Sequence, residues 1–213
     1  MYKTVLFDLD GTITDPGLGI TNSVMYALEK YHIKVEDRSD LYPFIGPPLK
    51  ESFEKYYHFS HEESSCAVAY YREYFSEKGI YENVLYDGMA EVLEYIKSSG
   101  RKLILATSKP EQFAIQILKY FEIEKYFDFI AGATMDETRV KKAEVIAYAL
   151  KSCEITDLPS VVMVGDREHD IFGAKEAGID SVGVLYGYGS REELQSAGAT
   201  YIAKNVGEII GFI

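Results

Sequence analysis

Apolar residues recur along this chain at two spacings, and the rhythm changes at two places. From Asp87 onward, short apolar runs alternate with segments whose apolar residues fall three or four apart. Met89, Val92, Leu93 and Ile96 share one helical face, with Gly100 to close the helix. KLILAT then reads as a strand, and a helix beginning at Pro110 carries Phe113, Ile117, Leu118 and Phe121. FDFIAG is strand-like, KAEVIAYALKS helical, and SVVMVG a strongly apolar strand. A helix through Ile171 to Ala177 stops at Gly178, and SVGVL is a further strand. Ser190 and Glu193 offer a capping box for the next helix. Strands alternating with helices imply an α/β fold, a parallel sheet with helices on both faces. KTVLFD near the N-terminus joins the same sheet.

The alternation fails between residue 16 and about residue 83. Ile20, Val24, Leu28 and Tyr31 mark one helix, LKESFEKYY a second, and Ser60 with Glu63 caps a third that runs to Gly79. No convincing strand falls among them. A helical insert therefore interrupts the sheet domain after its first strand. The predicted division is residues 1–15 with 84–213 as the core and 16–83 as the insert. The insert holds nine of the 18 tyrosines. They could line a substrate cleft, but packing a small helical core is the preferred expectation.

Charge narrows the function. The chain of 213 residues carries a net charge of −12 and no run of lysines or arginines. Nucleic acid and anionic membrane both need concentrated positive charge, so neither is an expected partner. Cys66 and Cys153 share no motif and are read as free thiols of a cytoplasmic protein. No stretch reaches the ~18 apolar residues of a membrane span, and the N-terminal run, broken by Asp8, is not a signal peptide.

The polar residues fall where a parallel sheet binds its ligands, at the carboxyl ends of the strands. The first strand ends in Asp8 and Asp10, the second in Thr107 and Ser108. Lys141 and Lys142 follow the third, and the fourth ends in Asp166 with Asp170 four residues on. Carboxylates gathered together repel unless a cation sits among them, and oxygen-only ligands favour a hard divalent ion such as Mg2+. The metal and a lysine would reverse the local charge, so that an anionic phosphate could bind in spite of the net −12. Thr107 and backbone amides near it would then hold phosphate oxygens. That chemistry is phosphoryl transfer. Asp8 would be the nucleophile, and Asp10 the group that protonates the leaving oxygen and later deprotonates water. Gly11 lets the chain turn and brings backbone amides towards the phosphate.

FDLDGTITD, ATSKP, a lysine before a helix and VVMVGDREHD, in this order and across the whole chain, resemble the haloacid dehalogenase superfamily of phosphatases. FDLDGT and the loop Gly46 to Leu49 are similar to its phosphoglycolate-phosphatase-like branch. The resemblance implies a Rossmann-like core with an inserted α-helical cap, and a Mg2+-dependent phosphatase acting on a small phosphorylated metabolite. It gives Asp8 as nucleophile and metal ligand, and Asp10 as acid/base and metal ligand through its backbone carbonyl. Thr107 with the Ser108 amide would bind phosphate, Asp166 would be a metal ligand, and Asp170 would support the metal or orient the lysine. Relatives often show Lys-Pro where this chain reads VKKAEVI; spacing to Val145 and Ile146 selects Lys142 over Lys141. The cap would hinge at Asp15-Pro16 and Val84 to Tyr86, and the Gly46 to Leu49 loop would help choose the substrate, or merely join two cap helices.

Blander expectations stand beside these. Asp170 can be a helix cap, Lys109 a solvated residue before Pro110, and His32, His58, His61 and His169 surface residues without a metal set. A receiver-like domain that stores phosphate also uses Asp, Mg2+, Thr/Ser and Lys, but needs neither Asp10 nor an inserted cap. 5′-Nucleotidase, sugar-phosphate phosphatase and phosphomutase activities all fit the same core.

Overall fold

A computed structural model describes residues 2–136 and 138–213. Six strands form one parallel sheet: β1 (Thr4–Phe7), β4 (Lys102–Pro110), β5 (Phe129–Ala133), β6 (Val161–Gly165), β7 (Asp180–Val184) and β8 (Tyr201–Ala203). Their order is β5-β4-β1-β6-β7-β8, so β1 lies between β4 and β6. That is the point where the order reverses and where parallel sheets open a crevice. β1 is buried along its whole length, as a strand covered on both faces must be.

Register explains which side chains meet. Leu6 is abreast of Ile104 and of Met163, and all three point into one apolar cluster. Val145, Ile146 and Ala149 of α6 (Lys142–Ser152) and Ala174 of α7 (Glu168–Ala177) complete it. Side chains alternate along a strand, so Asp8, two residues after Leu6, faces the same side. The starts of α6 and α7 are there. On β4, Val5 and Phe7 of β1 find Leu103 and Leu105, also fully buried. The apolar stripes predicted for residues 89–96 and 113–121 are the buried faces of α4 (Met89–Ser98) and α5 (Glu111–Tyr120), which pack on β4; Phe121 follows the last turn.

The chain divides into two compact units. One holds the sequence up to Thr14 and from Leu85 on; the other is Asp15–Val84. The second unit is built from α1 (Gly17–Glu29), α2 (Leu49–Tyr57) and α3 (His61–Tyr74), with a 3-10 turn over Arg38–Phe44 and a π turn over Phe75–Gly79. Ser60 and Glu63 make the full capping box of α3. Tyr31 lies past the end of α1, in the turn that follows. Phe44, Phe53, Leu41 and Ile45 fill the interior of this unit. The tyrosines flank that interior instead of filling it: Tyr71 alone is buried, and Tyr31 and Tyr57 lean on Phe59 at its rim. A phenolic oxygen keeps its water there at no cost.

Three elements escaped the hydrophobic pattern. β2 (Thr14–Asp15) and β3 (Val84–Leu85) are two residues each and pair with one another, and β8 is three residues at the sheet edge. Among the described residues, no helix is long and apolar enough to cross a membrane.

Candidate active site

Asp8 continues β1 past its last ladder residue, and its N–H donates to the Val164 carbonyl of β6. Its carboxylate is buried, and Oδ1 lies 2.6 Å from Lys142 Nζ. The same ammonium is 2.8 Å from Asp170 Oδ1 and donates to the Ala106 carbonyl at 3.0 Å. Lys142 is the first residue of α6 and is buried, whereas Lys141 before it is exposed. One lysine thus ties together the ends of β1 and β4 and the start of α7.

Asp166 follows β6 directly and is fully buried. Oxygens of Asp8, Asp166 and Asp170 all lie within 4.8 Å of one another. Asp170 makes two separate contacts. Its Oδ2 accepts from the Arg167 N–H at the start of α7, as the N3 carboxylate of a capping box does, while Oδ1 faces Lys142. Asp10 adds no carboxylate to this set. Gly11, at φ +79°, turns the chain, and Asp10 bridges to Thr14. Its Oδ2 lies instead 2.7 Å from Lys109 Nζ.

Lys109 corrects the expectation of a solvated side chain: its exposure is 5 %. The β4–β5 ladder shifts between Ala106 and Pro110, and the shift carries Lys109 inward. Thr107 is buried within the same irregular stretch, and its Oγ1 accepts from the Lys109 N–H at 3.2 Å; Ser108 is half-buried. The four histidines are exposed, and both cysteines are free.

A second group of residues had no signature in the apolar pattern. The loop after β7 returns to Asp166: the Tyr188 N–H donates to Oδ2 at 2.7 Å, and Tyr186 Oη donates to the Thr12 carbonyl at 2.9 Å. Thr12 Oγ1 approaches the other oxygen, Oδ1, at 3.5 Å. Gly187 permits this return, because a Cβ there would collide with Asp166 and with the Gly11 carbonyl. α8 (Arg191–Ala197) corrects the expected capping box. Ser190 Oγ accepts from the Glu193 N–H, but the Glu193 carboxylate does not reciprocate. It takes the Arg167 guanidinium and the Glu168 N–H instead, each at 2.9 Å. A charged partner outbids a neutral one.

Four carboxylates and two ammoniums are buried in this region, leaving two negative charges in excess. Burial, and then the nearness of Asp170 and Asp8, pushes the Asp166 carboxyl well above the usual carboxylate range. Burial likewise raises Asp170, against the opposing pull of Lys142. For Lys142 burial disfavours the charge, yet Asp170 and Asp8 more than offset it and hold the ammonium above its ordinary value. Asp8 Oδ1 and Asp170 Oδ1 meet Lys142 as ion pairs without hydrogen-bond geometry. Three carboxylates, oxygen donors only, with two charges to balance, fit a hard divalent cation.

That fit has a thermodynamic signature. A carboxyl whose folded pKa is raised binds more protons folded than unfolded, from about pH 3.9 up to its raised value. Stability contributed by Asp166 and Asp170 therefore falls as pH rises through that window. A divalent cation replaces the protons, so it should raise the Tm of EDTA-stripped protein more at pH 7.5 than at pH 5. Thermal unfolding at both pH values checks this, and an equal gain at both would contradict it.

Comparison with known proteins gives a consistent picture. The profile of the haloacid dehalogenase-like hydrolases matches residues 5–184. The crystal structure of a predicted phosphatase from Clostridium acetobutylicum superposes with a TM-score of 0.97 at 48% identity, covering 100% of this chain and 98% of that one. A protein of Pseudomonas aeruginosa named 5′-nucleotidase is 43% identical over 94% of this chain and 90% of its own length. The tyrosine-protein kinase PtkA of Mycobacterium tuberculosis is 38% identical over 94% of this chain and 68% of its own. With most of its length matched by the profile and by such relatives, the chain belongs to the haloacid dehalogenase-like hydrolase family.

Proposed function

We propose that the chain is a Mg2+-dependent phosphatase that hydrolyses a small phosphate monoester through a phospho-aspartate at Asp8. The observation that carries the reading is the meeting of Asp8, Asp166, Asp170 and Lys142 at the end of the central strand. Asp8, Asp166 and the backbone carbonyl of Asp10 are assigned to the metal, with Asp170 supporting it. Bound there, the ion neutralises charge on the phosphoryl oxygens and on the carboxylates.

The residues of the chain divide the remaining work. Thr107, the Ser108 amide and Lys142 hold the phosphoryl oxygens. An Asp8 oxygen attacks phosphorus, and the bond to the leaving oxygen breaks as Asp10 gives that oxygen a proton. Water then attacks the phosphorus of the phospho-aspartate while Asp10 takes its proton, and phosphate leaves with Asp8 restored. Burial raises the Asp10 carboxyl, in part against Lys109, in keeping with a group that must be protonated for the first half-reaction. The helical unit Asp15–Val84 is assigned the part of a cap that selects substrate, with hinges at Asp15-Pro16 and Val84 to Tyr86.

The relative named 5′-nucleotidase favours nucleoside 5′-monophosphates among the candidate substrates. Phosphoglycolate, sugar phosphates and pyrophosphate follow. The relative named a tyrosine-protein kinase favours a second reading, in which a hydroxyl of another molecule accepts the phosphoryl group in place of water. Phosphate release across a panel of these esters, compared by kcat/KM, tests both. Multiple turnovers with Mg2+, abolished by EDTA and restored by Mg2+, are expected. A single equivalent of phosphate retained on the protein would mark a storage domain and overturn hydrolysis.

A further inference from the structure

Lys109 has no part in the chemistry assigned so far, yet it is buried at a strand end beside the reacting groups. Its Nζ lies 2.7 Å from Asp10 Oδ2, with side-chain exposures of 5 % and 10 %. Burying two charges carries a desolvation cost that such a pair seldom recovers, and apolar residues of like volume commonly serve stability as well. What an ion pair adds is a fixed carboxylate. The two oxygens of Asp10 are consequently unequal. Oδ2 is held by the ammonium, while Oδ1 is buried and accepts no hydrogen bond among the described residues. The Lys109 backbone is itself anchored, since its N–H donates to Thr107 Oγ1. Whatever fixes the phosphate-binding threonine therefore also fixes the lysine that fixes Asp10.

We infer that Lys109 is a positioning residue of the acid–base step, holding Asp10 Oδ2 so that Oδ1 is the oxygen that handles the proton. The inference rests on the acid/base role proposed for Asp10. In the first half-reaction Oδ1–H passes its proton to the leaving oxygen as the phosphorus–oxygen bond breaks, and the carboxylate left behind remains paired with Lys109. In the second, Oδ1 takes a proton from the attacking water, while Oδ2 keeps the ammonium throughout. A rotating carboxylate would present either oxygen and lose its alignment with the leaving oxygen and with the attacking water.

Lys109→Met, Lys109→Arg, Asp10→Asn and the Lys109→Met/Asp10→Asn double variant test this through kcat/KM, which reports the first half-reaction. Two probes are used: p-nitrophenyl phosphate, whose leaving group needs no proton, and the alkyl monophosphate ranked first by the panel. Lys109→Met should lose about 100-fold on the alkyl ester and less than about 10-fold on the nitrophenyl ester. Lys109→Arg should keep most of the alkyl rate. The double variant should be no slower on the alkyl ester than Asp10→Asn alone, since Lys109 acts through Asp10. Equal losses on both esters, losses that multiply in the double variant, or no loss at all would each overturn the inference. Should Lys109→Met not fold, Lys109→Gln is judged by the same outcomes. A wild type inert towards both esters overturns the phosphatase reading instead, and the inference with it.

Discussion

Asp8→Asn is expected to lower turnover by at least about 10⁴-fold while the protein stays folded. An amide oxygen is a poor nucleophile towards phosphorus, and no neighbouring carboxylate can take over. Asp170 is engaged at both oxygens, by Lys142 and by the Arg167 N–H. Asp166 is likewise occupied, by the Tyr188 N–H and by Thr12. The fold should tolerate the change because Asp8 is one of the anions that crowd Asp166. Its loss relieves repulsion, and Lys142 keeps Asp170 as a partner. Urea unfolding in EDTA should place the variant within about 1 kcal/mol of wild type. Near-normal phosphate release from this variant would remove Asp8 from its role.

Lys142→Met should behave in the opposite way. It removes the ammonium that faces Asp8 and Asp170 and leaves their carboxylates buried without it. Breaking a buried pair by deleting one partner costs about 3–5 kcal/mol, because the survivor stays desolvated and uncompensated. The Ala106 carbonyl loses its donor as well, and with it one tie between α6 and the end of β4. The loss should be largest in EDTA and smaller in excess Mg2+, which supplies positive charge to the same carboxylates. Activity should fall by about 10²- to 10³-fold even when the metal is saturating, since a fixed positive group near the phosphoryl oxygens is gone. Unfolding curves of this variant with and without Mg2+ measure the first effect. A variant as stable as wild type in EDTA would show that the lysine does not balance these charges.

The legible parts of the molecule are those with a long enough rhythm. LKESFEKYY and KAEVIAYALKS are helices over those same residues, because nine and eleven residues show two or three turns of periodicity. SVVMVG and KLILAT declared strands by apolar, β-branched runs bounded by polar residues. Two residues, as in β2 and β3, contain no period at all. β8 is an edge strand whose Tyr201 is exposed, so it lacks the uniform burial that marks the centre of the sheet.

The candidate site divides along a different line. Asp8, Asp10 and Asp166 stood out because carboxylates at the ends of apolar runs demand an explanation, and Asp170 because it follows Asp166 by four residues. Lys109 did not, since a lysine before a proline ordinarily sits in water, and only a shifted ladder turns it inward. The Tyr188 N–H that holds Asp166 is a backbone donor, and every residue except proline has one. Gly187 is equally silent in sequence, because the collision it avoids involves Gly11 and Asp166, both far away along the chain.

The place of β1 bears on how the chain comes alive during synthesis. Thr4 lies abreast of Lys102 on one side and of Val161 on the other. The strand gains one neighbour only when the segment at Lys102 has been made, and the other only when the segment at Val161 follows. Pairings over such separations are slow to form. A nascent chain should thus hold Asp8 apart from Lys142, Asp166 and Asp170 until those later segments have been made.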